Sequence, residues 1–147
     1  SRGFINHEAA RRFTEEVIAD FDVKTSSVNK AAQALSGGNL QKFIVGREIL
    51  QKPRILIVDQ PTWGVDVGAA TVIRNALLKL RGEGAAIVVV SEEIDELFEI
   101  SDRIAVMYRG TMSPAVPVQS LTMEELGRWM AGLWTGSPFK HQAREAD

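Results

Sequence analysis

The run "RILIVDQP" (Arg54–Pro61) sets an unbroken apolar stretch, Ile55 to Val58, directly before a carboxylate, Asp59. Such runs read as short strands buried on both faces of a parallel sheet. Asp59 then stands at the strand's C-terminal end, where α/β sheets gather their ligands. A second run, "AAIVVVS" (Ala85–Ser91), repeats the pattern. Between the two, Val72, Ile73, Ala76, Leu77 and Leu80 recur at helical spacing, and Gly82 and Gly84 close the helix. Strand, helix and strand in that order predict an α/β fold with a largely parallel sheet.

Upstream of this unit, "LSGGNLQKFIVGREIL" (Leu35–Leu50) predicts a helix from about Gly38, with Leu40, Phe43, Ile44 and Leu50 facing a core and Pro53 ending it. The Ser-Gly-Gly at its entrance has two readings. One is a capped helix after a loop. The other is an anion site, because the first helical N–H groups are unpaired and glycines let a phosphate approach them. Earlier still, Ala10, Phe13, Val17, Ile18 and Phe21 trace an amphipathic helix behind an N-cap at Asn6. The polar stretch from Asp22 to Ala34 reads as a loop. Downstream, Ser91 is the expected N-cap of a helix with Glu92 and Glu93 in its first turn. "DRIAVMYRGTM" (Asp102–Met112) reads as a third strand turning at Gly110, and Thr122 with Glu125 forms a capping box for a terminal helix through Trp129 and Leu133.

Bulk properties narrow the function. The 147 residues are 45% hydrophobic, the make-up of one globular domain. Seventeen Lys and Arg against 19 Asp and Glu give a net charge of -2, so no global electrostatic case exists for nucleic acid or an anionic membrane. The absence of cysteine removes disulfides, zinc thiolates and thiol catalysis, and agrees with a reducing cytoplasm. Two histidines, His7 and His141, are too few for a histidine-rich metal site. No stretch approaches the roughly 20 apolar residues of a membrane span. The chain starts at Ser1 rather than methionine, which points to a piece of a longer protein.

Taken together, "LSGGNLQK", "ILIVDQPTWGVDV", "IVVVSEEIDEL" and "SDRIAVMYRG" resemble the ATP-binding cassette ATPases in order and spacing, most closely importers of nucleosides and simple sugars in which two cassettes are fused. The resemblance implies a partial P-loop NTPase fold that lacks the Walker A strand, from the C-terminal part of the second cassette. Residues 1–34 would belong to the helical subdomain and a linker, 35–136 to the nucleotide-binding domain, and 137–147 to a loose tail. Ser36, Gly37 and Gly38 match the signature motif, which contacts the γ-phosphate of ATP held by the opposite cassette. Gln41 and Lys42 continue it, facing nucleotide or partner, with a solvated surface role equally open for Lys42. Asp59 matches the Walker B aspartate that holds Mg²⁺. Asp66 matches the aspartate that links the two ATP sites across the dimer, and Trp63 beside it suits interface or core packing.

Departures from the family pattern shape the expected mechanism. No Gly-x-x-x-x-Gly-Lys-Ser/Thr occurs in the sequence, so the phosphate cradle is missing. Gln60 stands where most members carry a glutamate that serves as general base, and an amide cannot accept a proton from water. Glu92 stands where a switch histidine contacts the γ-phosphate; a carboxylate there repels that phosphate, and a first-turn glutamate favoured by the helix dipole is the preferred reading. The resemblance thus implies a half whose own site is degenerate while its signature completes a partner's site. Implied partners are the second cassette, the permease subunits, and indirectly an extracellular or periplasmic binding protein, with the chain peripheral on the cytoplasmic face of the membrane. Uncovered sheet edges would favour self-association. The alternative is a non-catalytic interaction or dimerisation fragment with cassette shape. A DNA-acting mechanical ATPase is disfavoured because "HEAARRFTEEVIADF" is too short for heptad arms, and a dinucleotide-binding domain lacks its Gly-x-Gly-x-x-Gly turn.

Overall fold

The computed structural model describes residues 6–135, and the tail expected over 137–147 lies outside the described residues. The chain divides into two compact units between Glu92 and Glu93. The first runs α1 (His7–Asp20), α2 (Gly37–Leu50), β1 (Ile55–Asp59), α3 (Val67–Gly82) and β2 (Ala86–Val90).

Asn6 starts α1 as expected, its Oδ1 accepting from the Ala9 N–H at 3.0 Å. The helix buries Val17 and leads into buried Phe21 and Val23, the chain reversing at Asp22 with φ of 48°. A single 3-10 turn, Ala32–Ala34, interrupts the loop before α2. The buried row of α2 differs from the expected one: Lys42, Val45, Gly46 and Ile49 are buried, whereas Leu40, Phe43 and Leu50 are half-buried and Ile44 is exposed. Apolar residues surround α2, so spacing alone selects no face. Packing on α1 selects the face with the smallest residue, Gly46, whose missing side chain leaves room for the Phe21 ring. Lys42 is accommodated on this face because its stem is apolar and its Nζ donates to the Asp22 carbonyl, which excludes the solvated reading.

β1 and β2 pair in parallel, from Ile55 opposite Ala86 to Asp59 opposite Val90. Both helices α2 and α3 pack against these strands, and α3 buries Ala69, Ile73, Leu77 and Leu80. Burial alternates along each strand, so one face is covered, with Leu56 buried. The expectation of strands buried on both faces is therefore corrected. Ile55 and Ile57 are each 70% exposed, and Val88 and Val90 are also exposed, because no described element of this unit lies over that face.

The second unit comprises α4 (Ile94–Ile100), β3 (Arg103–Ile104), β4 (Met107–Tyr108), β5 (Thr111–Met112), β6 (Val116–Pro117) and α5 (Met123–Met130). Its core joins Ile104, Leu121 and Leu126, flanked by Leu97, Phe98 and Trp129. The third strand expected over Asp102–Met112 is instead broken into antiparallel pairs, β3 with β6 and β4 with β5. The break falls at Val106, whose N–H donates to Ser113 Oγ at 2.9 Å and whose carbonyl accepts from the Ser113 N–H at 2.8 Å. The turn at Gly110 is as expected, with Arg109 and Gly110 both at positive φ, as two-residue hairpins require. Ser91 does not cap α4; Glu93 occupies that position, and the first-turn acids are Asp95 and Glu96. The Thr122–Glu125 capping box is present, but α5 ends at Met130, short of Leu133.

Candidate functional site

The first unit brings two sequence motifs together, at the N-terminus of α2 and in the turn after β1. Ser36 is the N-cap of α2 by backbone, its carbonyl accepting from the Leu40 N–H at 2.8 Å, yet its side chain makes no capping bond. The Oγ instead accepts from Asn39 Nδ2 at 2.8 Å. The Asn39 Oδ1 in turn accepts from the Lys24 N–H at 2.7 Å, which anchors the motif to the loop after α1. Asn39 was not singled out from sequence; its position one residue after the glycines, within helical reach of Ser36, was the available signal. Beside it the Lys24 ammonium hydrogen-bonds Asp22 and holds that exposed carboxyl below its usual 3.8, outweighing desolvation, with the Lys24 and Lys42 charges adding smaller effects in the same direction.

The glycines of the motif have different surroundings. A Cβ on Gly37 would meet nothing within 4 Å, and one on Gly38 would make only ordinary contact with Gly64 and Val65. Neither has the positive φ that demands glycine. The packing of the described residues thus gives no reason for either glycine, unlike Gly46. A shallow pocket opens here, lined by Lys24, Ser36, Gly38, Asn39, Lys42 and Asp66.

In the turn, Asp59 is the last residue of β1 and exposed. Gln60 follows in the left-handed region at φ of 48°, its N–H donating to the Val90 carbonyl at 2.8 Å. Gln41 points from α2 into this turn, its Nε2 donating to the carbonyls of Gln60 at 3.1 Å and Pro61 at 3.0 Å. Asp66 caps α3, its Oδ1 accepting from the Ala69 N–H at 2.8 Å. Trp63 is 72% exposed, which rules out core packing within this unit and leaves its face open. Glu92 is exposed in the bend after β2, outside any helix, so the first-turn reading of it is corrected. Among the described residues no group of three or more His, Cys, Asp or Glu gathers as for a metal ion. One carboxylate at a strand end suits Mg²⁺, which is held by one or two carboxylates with the rest of its shell from phosphates and water.

No protein-family profile matches the chain. It is 42% identical over 130 residues to a nucleoside import ATP-binding protein, NupA, of Lactococcus lactis, covering 88% of this chain and 26% of that protein. It is 40% identical over 130 residues to a glucose import ATP-binding protein, TsgD13, of Haloferax volcanii, covering 87% and 24%. Among solved structures, the ATP-binding cassette MJ0796, a dimer in a post-hydrolysis state bound to ADP and Pi, superposes with a TM-score of 0.69 at 25% identity over 82% of this chain and 52% of that one. Fold and comparisons define the class: the chain belongs to the ATP-binding cassette ATPases. Within it, the chain is similar to the ATP-binding proteins of sugar and nucleoside importers and spans about a quarter of their length.

Proposed function

We propose that this chain is the C-terminal part of the second cassette of an importer's ATP-binding protein, and that it energises uptake of a nucleoside or simple sugar. The chain matches about half of a single cassette and about a quarter of the importer proteins, proportions that suit two fused cassettes. In this reading Ser36, Gly37 and Gly38 close on the γ-phosphate of ATP bound by the opposite cassette, with the N-terminal dipole of α2 aimed at it. The observation that carries the reading is Gly37: an open glycine at a helix entrance, with no neighbour among the described residues to explain it, leaves the backbone bare for a body from outside.

Asp59 would hold Mg²⁺ beside this half's own nucleotide, the ion neutralising phosphate charge when bound. Gln60 can orient a water there but not deprotonate it, and Glu92 opposes a phosphate unless a cation intervenes. Hydrolysis is therefore asymmetric, slow at the site of Asp59 and Gln60 and competent at the site completed by Ser36. Asp66 belongs to the link between the two sites. The partners are the opposite cassette and the permease subunits, with an external binding protein acting through them, and the chain sits at the cytoplasmic face of the membrane. Alone, the bare face of Ile55, Ile57, Val88 and Val90 promotes self-association.

Two substitutions in the full-length protein test this. Ser36→Arg removes most ATP turnover, and Gln60→Ala changes it little; the reverse ranking would sink the assignment. If both leave turnover intact, the other reading, an interaction fragment without nucleotide contact, takes its place.

A further inference from the structure

We propose that Gln41 is a positioning residue that ties the turn after β1 to the helix carrying Ser36, so that the two phosphate-facing ends of this unit move as one body. The inference rests on the reading of Ser36 and Asp59 given above and adds the element that connects them. The family resemblance directs Gln41 towards nucleotide or partner; the geometry points its Nε2 inward, onto the carbonyls of Gln60 and Pro61.

Three features make this bond more than incidental. Pro61 is fully buried, and among the described residues the Gln41 amide is the partner of its carbonyl, which would otherwise be a buried acceptor without a donor. Gln60 is a non-glycine residue in the left-handed region, a conformation that persists only where its surroundings impose it. Those surroundings are two backbone bonds, Gln60 N–H to Val90 and Trp63 N–H to Gln60, together with the amide of Gln41. Gln41 also lies one helical turn from Gly38, where an added Cβ would come to 3.8 Å from Val65 and 3.9 Å from Gly64 at the far end of the same turn. The helix and the turn thus run side by side, and Gln41 supplies the hydrogen bonds that join them. A displacement of the α2 N-terminus by a phosphate of the opposite site would be carried to Asp59 and Gln60, which links occupancy of one site to the geometry of the other.

The test uses the full-length ATP-binding protein with MgATP as the probe. Gln41→Met keeps length without a donor, and Gln41→Glu keeps shape while replacing the N–H groups by an acceptor. Each lowers kcat by about tenfold with KM changed by less than about threefold, the size expected for losing two bonds that act on geometry rather than on ligand affinity. Gln41→Lys, which keeps a donor within reach of both carbonyls, retains most of the turnover that Gln41→Met loses. Turnover unchanged in Gln41→Met, or a Gln41→Lys as impaired as Gln41→Met, overturns the proposal. If Gln41→Met does not fold, a folded and active Gln41→Lys supports the brace, and a Gln41→Lys that also fails to fold overturns it. Ser36→Arg runs in parallel: full turnover there refutes the signature reading itself, whereas an inactive Ser36→Arg beside a normal Gln41→Met refutes the brace alone.

Discussion

Alanine at Gly46 and alanine at Gly37 are the same chemical change in the same helix, and the structure gives them opposite outcomes. On propensity alone each gains up to about 1 kcal/mol, since glycine is the poorer helix former and the looser unfolded chain. At Gly46 a Cβ would lie 2.6 Å from Phe21 Cδ2 and 2.7 Å from Cγ, more than half an ångström inside normal carbon contact of about 3.5 Å. Phe21 is only 3% exposed, so its ring has no open space to retreat into. Overpacking of this kind costs about 1–3 kcal/mol and outweighs the propensity gain. The expected net is a destabilisation of about 1–2 kcal/mol for Gly46→Ala, which lowers the urea midpoint by about 0.5–1 M for a typical slope of about 2 kcal/mol per molar. Gly37→Ala, with nothing within 4 Å, leaves the midpoint unchanged or raises it. Urea unfolding followed by far-ultraviolet circular dichroism reads both. Phe21→Leu in the Gly46→Ala background recovers part of the loss, a coupling of about 1 kcal/mol for touching residues. A Gly46→Ala chain as stable as the parent, or strict additivity with Phe21→Leu, would refute the account of how α1 and α2 meet. The functional counterpart follows: in the full-length protein Gly37→Ala lowers ATP turnover while leaving stability intact.

Asp66→Ala removes the N-cap of α3 and lowers stability by about 1 kcal/mol, whereas Asp66→Asn keeps an acceptor for the Ala69 N–H and is nearly neutral by urea titration. A loss of turnover in Asp66→Asn at unchanged stability would then assign the carboxylate itself to the link between sites. Because Lys24 depresses the Asp22 carboxyl below 3.8, the pair's stabilising effect is present above that pH and lost as pH falls through the folded-state value. Lys24→Met brings Asp22 back towards 3.8 in an NMR titration; an unchanged titration would remove Lys24 as the cause. Light scattering of the 147-residue chain shows species larger than a monomer, and Ile57→Lys reduces them by charging the bare sheet face. A clean monomer of the unchanged chain at high concentration contradicts this.

The elements with their own local signals were legible in the sequence. Asn6, Thr122 with Glu125, and the turn at Gly110 each carry a capping or turn chemistry that works over three or four residues, and each stands where it was expected. The parallel pair was legible because two β-branched runs flank one helical pattern. What was not legible depended on which neighbour is present. The face of α2 is set by a glycine accepting the Phe21 ring, a fact that exists only when two helices meet. The double burial read from "RILIVDQP" describes a strand with layers on both sides, and one of those layers is absent among the described residues of this unit. Ser91 failed as a cap because the bend at Glu92 delays the helix to Ile94, so the acids in its first turn are later ones. In the site, residue types were readable but their partners were not: no spacing rule distinguishes a Gln41 that meets a nucleotide from one that meets the Pro61 carbonyl.

In the proposed role, the place of Gln41 decides how the two phosphate-facing elements of this unit keep their relation. The groups that would face phosphate, Ser36 to Gly38 and Asp59, lie on two elements, and neither is held by the other's backbone ladder. Backbone hydrogen bonds fix α2 internally and β1 to β2, but the angle between α2 and the turn after β1 is left to side chains and van der Waals contact. A single donor reaching two carbonyls is a small fastening between helix and turn. It is also a local one, made entirely within residues 38–65. In the proposed role, the first unit would carry a preformed relation between Ser36–Gly38 and Asp59 before any nucleotide or opposite cassette arrives, and the binding energy of ATP would not be spent on creating it.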